Sequence, residues 1–436
     1  MRCNNAAAAL LLRRKGDGST LNLDFKTMAS NADLLANKIT FTRASTVATY
    51  INSSGYVATA SGTNIPRFDY NPTTLAAKGL LIEASAINAV TYSQDLTGSG
   101  WFTSNVTPST STTVLSPDNS TYTSKLVESA TTTTHLMQKA VGAVSAQKYT
   151  VSLFAKQANR TQLYISIDGG NVVVKFDLTG ATSPISSGST TAVVSQISYP
   201  NGWYRLVFTY TSAAGGIYLN IFTQNGSGAT YIGTTSFLGN ATVDACYIWG
   251  VQQELGENAS SYIPTTTGQV TRAIDTAIIA AGTDFSTWYT GGTSGTFIVC
   301  WNANAATATA RSIIATSDLS TKHLHLYQTA NALTMRLADF GAANTVTTAN
   351  SMTANTLTKG GFSYTAGAVS TCLNGGTVAT GTLSGFSVAP TWLSIGGPST
   401  NGTSITDTTV VLNNSISSIK YFPTVLTAAQ LQAKTI

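Results

Sequence analysis

Charge is what this sequence is shortest of. Only 9% of its 436 residues are Asp, Glu, Lys or Arg, against about 25% in an ordinary globular chain. The 23 basic and 18 acidic residues leave a net charge of +5. The cations are scattered, Arg13-Arg14-Lys15 excepted. A nucleic-acid-binding chain carries a basic stripe with interleaved aromatics, so no nucleic-acid partner is expected. Proline is scarce, and the 37 glycines have no strict period, which excludes a collagen-like stalk. No apolar run approaches the roughly 18 residues of a membrane helix, so no membrane insertion is expected. The short run from Ala6 to Leu12 is followed, not preceded, by basic residues, the reverse of a secretory signal.

Cysteine is also rare. Cys3, Cys246, Cys300 and Cys372 show no CxxC or metal-ligand spacing. The inner ones sit among apolar residues, as in Phe297-Ile298-Val299-Cys300-Trp301. A free cysteine behaves as a small hydrophobe. Buried thiols are therefore expected rather than disulfides, as suits folding in a reducing cytoplasm.

What fills the space is Thr, Ser, Ala, Gly and Asn, with 43% hydrophobic residues, 18 Tyr and 15 Phe. Disordered chains lack aromatic and β-branched residues, so this one folds. Its abundant types favour strands and the turns between them, and its length asks for two or three domains. The expected fold is all-β: two successive β-sandwiches behind a small N-terminal anchoring segment. Residues 1–20 read as an anchor, with a helix from Ala6 to Lys15 capped by Asn4 or Asn5 and stopped by Gly16 and Gly18. Residues 21–79 read as an adaptor segment. Residues 80–275 read as the first sandwich, opened by the buried strand Leu80-Leu81-Ile82. There Lys148 to Lys156 alternates at period two, and Asn201-Gly202 and Asn225-Gly226 punctuate neighbouring strands. Residues 276–436 read as the second sandwich, closed by a short helix with Thr427 as its N-cap.

Residues for chemistry are few. Glycoside hydrolysis needs two carboxylates facing one cleft. Asp168 with Asp177, and Glu254 with Glu257, are close in sequence, but turn chemistry and solvation explain them better. His323 and His325 would share one strand face, with Asp318 as a conceivable third metal ligand. Surface-facing histidines are the simpler reading. There is no nucleophile elbow and no phosphate loop. No catalytic residue, metal or cofactor is expected. Sugar rings stack on exposed aromatic side chains, which makes Trp101, Trp288, Tyr289 and Trp392, all near turns, the carbohydrate-binding candidates. The competing reading is that they plug the sandwich ends.

Six segments together carry a resemblance. They are Ile39-Thr40-Phe41-Thr42-Arg43-Ala44-Ser45; Ile65-Pro66-Arg67-Phe68-Asp69-Tyr70 with Gly79-Leu80-Leu81-Ile82-Glu83; Asn88, Tyr92-Ser93 and Trp101; Asn201-Gly202-Trp203-Tyr204-Arg205; Ile248-Trp249-Gly250-Val251-Gln252; and Ser261-Tyr262-Ile263-Pro264-Thr265-Thr266. In this order, over residues 20–275, they resemble tailed-phage virion appendage proteins. Ala89-Val90 departs from the family's usual apolar pair. The resemblance implies a carbohydrate-binding-module-like jelly roll in the middle. Ile416 to Leu426-Thr427 is similar to the closing strand and helix of laminin-G or concanavalin-like domains.

That resemblance implies a structural virion protein, a head or tail fibre or spike made in the bacterial cytoplasm. Its implied partners are other virion proteins (capsid, portal, adaptor or tail); the N-terminal 20 residues lie outside the match, and Arg13, Arg14 and Lys15 there are the virion-anchoring candidates. Further copies of the chain, a trimer being favoured, and a host-surface glycan complete the set. The alternatives are a capsid decoration protein with no specific ligand and a polysaccharide-degrading tailspike.

Overall fold

Alternating β-branched and aromatic residues, broken by Asn and Gly turns, fold here into layered antiparallel sheets. The computed structural model describes residues 17–119, 122–167, 172–188, 193–213, 217–224, 236–317, 323–330, 334–339, 345–382 and 389–436. The expected helix from Ala6 to Lys15, Cys3 and the basic triplet Arg13, Arg14 and Lys15 lie outside them, as do Asp168 and Asp318. The chain is an all-β protein of two sandwiches.

The middle sandwich packs two six-stranded sheets. One runs in the order Val194–Tyr199, Trp203–Thr211, Lys148–Gln157, Asp244–Leu255, Tyr122–Glu128, Val106–Leu115. The other runs Ile185–Gly188, Val172–Asp177, Gln162–Ile167, Ile217–Gln224, Leu136–Val141, Trp101–Ser104. Leu153, Ile165, Val174, Leu206, Leu219 and Ile248 fill the space between them. The strand Lys148–Gln157 is buried on both faces over most of its length. Its alternation was expected to leave one face to solvent, but Phe154 on that face lies under Tyr199, Trp249 and Tyr262.

The second sandwich is not confined to residues 276–436. Its eight-stranded sheet places Asn414–Phe422 beside Gly295–Asn302 and Ala77–Ile82, with Phe68–Tyr70 next to Ala77–Ile82. Leu21–Asp24 pairs with the same Asn414–Phe422 strand, Leu23 opposite Ile419. The facing seven-stranded sheet is edged by Thr40–Thr42, paired with Thr276–Ile279. Leu23, Phe25, Leu34, Phe41, Leu80 and Ile82 sit in one core with Phe297, Trp301 and Tyr421. Leu80 to Ile82 therefore does not open the middle sandwich. It lines the other one, with Leu80 opposite Ile416. Leu21–Asp24, Thr40–Thr42, Phe68–Tyr70 and Ala77–Ile82 are strands of the C-terminal sandwich, while Thr49–Ile51 and Val57–Thr59 pair as a separate hairpin; the middle sandwich is inserted between Ile82 and residue 276. Its two ends leave side by side, Ala86 opposite Arg272.

Turn chemistry behaves as the sequence indicates. The side chain of Asn52 accepts from the backbone of Ser54 and Tyr56, both at 3.0 Å. Thr427 caps the last helix, with Gln430 closing the capping box. Cys246, Cys300 and Cys372 are free thiols.

Candidate functional site

Two features meet where the sandwiches join: a buried ionic joint and an open cleft beside it.

The joint takes Arg43, Arg67, Glu83 and Ser261 from the resembling segments and Arg272 and Asp275 from just beyond them. Arg67, from the Pro-Arg-Phe-Asp-Tyr segment, donates from Nη1 to Glu83 at 2.5 Å and to the Thr49 carbonyl at 2.8 Å, and from Nη2 to Asp275. Arg43 reaches Asp275 at 3.4 Å and the Ile65 carbonyl at 2.8 Å. Arg272 sits 3.1 Å from Glu83 and donates to the Ala84 carbonyl at 2.7 Å. Ser261 donates to Glu83 from both its backbone and its hydroxyl, each at 2.7 Å. All five charged side chains are essentially buried. Three guanidinium groups thus enclose two carboxylates.

Such burial is costly unless every charge is paired and hydrogen-bonded. Burial alone would raise the Glu83 carboxyl, but Arg272 and Arg67 outweigh it and hold it down at about 2. For Arg67, Asp275 and Glu83 overcome the cost of burial and push its pKa up. Arg43 is lowered by its burial and by the nearby Arg67 charge, against the pull of Asp275.

The other segments close around this centre. Asn88 donates to the carbonyls of Val251 and Ile263 and accepts from the amides of Val90 and Gln253. Gln252 accepts from the Ile263 amide at 2.7 Å and donates to Glu254 at 2.7 Å. Tyr262 and Ser93 share a 2.6 Å hydroxyl contact. Gly250, at φ 64°, passes under Phe154 and Tyr262, where an added Cβ would lie 3.1 and 3.3 Å from their rings. Trp203, Trp249, Tyr199 and Phe154 form a small aromatic core here. Segments far apart in sequence thus meet in one place.

Beside the joint opens a cleft of about 560 Å³. Tyr50, Asp69, Tyr70 and Lys78 line it from the N-terminal strands. Arg205, Glu257, Asn258 and Ser260 line it from the middle sandwich, and Asn302, Asn304, Asn355 and Asn413 from the C-terminal one. Its carboxylates are engaged. Asp69 meets Lys78 at 2.7 Å and Glu257 meets Lys148 at 2.5 Å, while Glu83 belongs to the joint. Among the described residues no three His, Cys, Asp or Glu side chains are grouped to hold a metal.

The aromatic side chains chosen from the sequence lie elsewhere. Trp288, Tyr289 and Trp392 are buried. Trp288 and Tyr289 stack into the core against Phe285 and Tyr421. Trp392 packs against Gly402 and donates to the Ser399 carbonyl. Their faces are occupied, so they are not stacking platforms. Trp101 is half-buried, with Lys139 5.3 Å from its ring centre and its indole nitrogen donating to the Tyr92 carbonyl. His325 is buried, not surface-facing. Asp177 holds the turn at Thr179 and Thr182. Sequence reasoning missed Tyr50, Tyr70 and the asparagines of the cleft. The one available signal was that Tyr70 ends one resembling segment and Asn258 lies shortly before another.

No protein family model matches the chain, and no curated protein does. Among solved structures, the carbohydrate-binding module (CBM40) of the Ruminococcus gnavus IT-sialidase, bound to α2,3-sialyllactose, is similar at a TM-score of 0.28 and 15% identity. That match covers 33% of this chain and 83% of the module. A SAP-like pentraxin from Limulus polyphemus gives a TM-score of 0.25 at 12% identity, covering 33% of this chain and 70% of its own. Mouse laminin α1 domains LG4-5 give 0.24 at 8%, covering 66% and 89%. Likenesses at this level carry no assignment. The all-β reading stands on the sheets themselves.

Proposed function

We propose that this chain is a structural protein of a tailed-phage virion: an exposed fibre- or spike-type appendage, attached through its N-terminus, that helps hold the particle to host-surface glycan. One observation carries the reading. The resembling segments supply Arg43, Arg67, Glu83 and Ser261 to one buried joint, and Asn88, Ser93, Trp203, Trp249 and Tyr262 pack beside it, which supports reading them together and not as scattered short words. Ser261, beyond the last strand of the middle sandwich, donates twice to Glu83 of the joint and so ties the two sandwiches together, as an appendage that must transmit a contact requires.

In this reading the copies assemble as a homo-oligomer, a trimer, and several weak sugar contacts on one particle add up to useful avidity. Binding is favoured over hydrolysis because the carboxylates lining the cleft are all engaged by cations. A glycosidase needs a carboxylic acid held protonated beside a second carboxylate.

The test is to image intact particles with antibody raised against the C-terminal sandwich. Label at the tail supports an attachment fibre, and label over the head supports a head fibre or decoration protein. Particles without label would overturn the virion reading.

A further inference from the structure

We infer that the cleft between the two sandwiches is a binding site for a neutral carbohydrate. The inference rests on the attachment reading only for where that sugar comes from.

Its size is right: about 560 Å³, inside the roughly 300–1,000 Å³ of small-ligand sites. Its walls come from three stretches of chain locked together by the joint, so it is pre-formed, which lowers the ordering cost of binding.

Its chemistry is that of a polyhydroxylated, uncharged ligand. Asn302 is only 7% exposed, yet its amide nitrogen has no partner. The amide nitrogen of Asn258 also lacks one. A buried donor left unpaired costs about 1–3 kcal/mol, and both amides belong to residues that line the cleft. Asparagine amides donate and accept at once, matching hydroxyl groups that do the same. Tyr50 and Tyr70, half-buried at the N-terminal wall, offer rings whose faces suit the apolar side of a sugar.

Of the wall cations, Lys78 is spent on Asp69. Arg205 is buried, 5.6 Å from the Phe154 ring centre and donating to the Ser260 carbonyl at 2.7 Å, but meets no carboxylate among the described residues, so an anionic glycan is the alternative that the array separates.

The test uses the full chain on an array holding neutral and sialylated or sulfated glycans, followed by titration of the best neutral ligand. Tyr70→Ala removes a stacking face, and Ala305→Trp fills the cleft from its C-terminal wall. Each is expected to weaken binding by about tenfold or more with an unchanged melting temperature. If one variant melts early, the other decides. Wild-type affinity in folded variants would overturn the site. Binding confined to anionic glycans, or no glycan binding at all, would overturn the ligand class. Neither result touches the virion reading, which particle labelling decides separately.

Discussion

Arg67 and Asp275 form a buried ion pair across 208 positions of sequence. The whole middle sandwich lies between them in the chain. Their contact therefore closes the loop from which that sandwich hangs. Removing one partner of such a pair leaves the other charge buried and unmatched. Arg67→Met is expected to destabilise the protein by about 3–5 kcal/mol, read by urea or thermal unfolding. A loss below about 1 kcal/mol, the value of an exposed ion pair, would mean that water reaches the joint.

The same region sets two opposite pH dependences. Glu83 has its pKa lowered from 4.5 to about 2. Its contribution to stability is present above 4.5 and is lost as the pH falls towards 2. Glu254 is raised above its ordinary 4.5, because burial outweighs its bonds to Ser260 and Gln252 and the charge of Arg272. For Glu254, stability falls as the pH rises from 4.5 through the raised value, since the folded state then holds the proton more tightly than the unfolded one. Glu254→Gln keeps an oxygen for both bonds and cannot ionise. Chemical denaturation as a function of pH should find it more stable than wild type above that value. The gap should close towards pH 4.5 and below. A constant gap would remove Glu254 from the account.

Much of the fold was legible because strands announce themselves locally. Lys148 to Lys156 alternates, Asn201-Gly202 turns, and Thr427 caps its helix. The assignment of Leu80 to Ile82 failed for the converse reason. An apolar run says that a strand is buried but not against which sheet, and its partner Ile416 lies over 300 residues away. The joint was half visible. Arg43, Arg67 and Glu83 stood in the resembling segments, while nothing local shows that they meet Asp275 and Arg272. The cleft was invisible, because its asparagines look like ordinary turn residues in a chain full of them. Trp288, Tyr289 and Trp392 failed as candidates because an aromatic beside a turn can equally be the plug of the sandwich end.

Close packing of the N-terminal strands can be tested at one atom. Gly79 has φ 103°, and a Cβ there would sit 2.2 Å from the Ile416 carbonyl oxygen. Gly79→Ala meets both backbone strain and a clash with main chain, together roughly 2–6 kcal/mol. Gly292 is a control, with φ 63° and nothing within 4 Å. Its alanine variant carries only the conformational cost, about 1–2 kcal/mol. Equal losses in thermal unfolding would show that Ala77–Ile82 does not press on Asn414–Phe422 as described.

The inserted arrangement predicts which pieces fold. Residues 276–436 alone lack Leu21–Asp24 and Ala77–Ile82, the strands flanking Asn414–Phe422. They also lose Leu23, Phe25, Leu34, Phe41, Leu80 and Ile82 from the core. A sheet stripped of those strands exposes backbone edges and apolar surface together, a recipe for aggregation. This piece is expected to be insoluble or to unfold without cooperativity. Residues 17–85 joined through a short glycine turn to residues 273–436 keep every strand of that sandwich. They also keep Arg43, Arg67, Glu83 and Asp275 of the joint. Because Ala86 lies opposite Arg272, the turn need span only one strand spacing, about 4.8 Å. This shortened chain is expected to be soluble and to melt in a single transition by circular dichroism. A well-folded 276–436 piece, beside a shortened chain that fails, would show that the N-terminal strands are decoration on a sandwich complete without them.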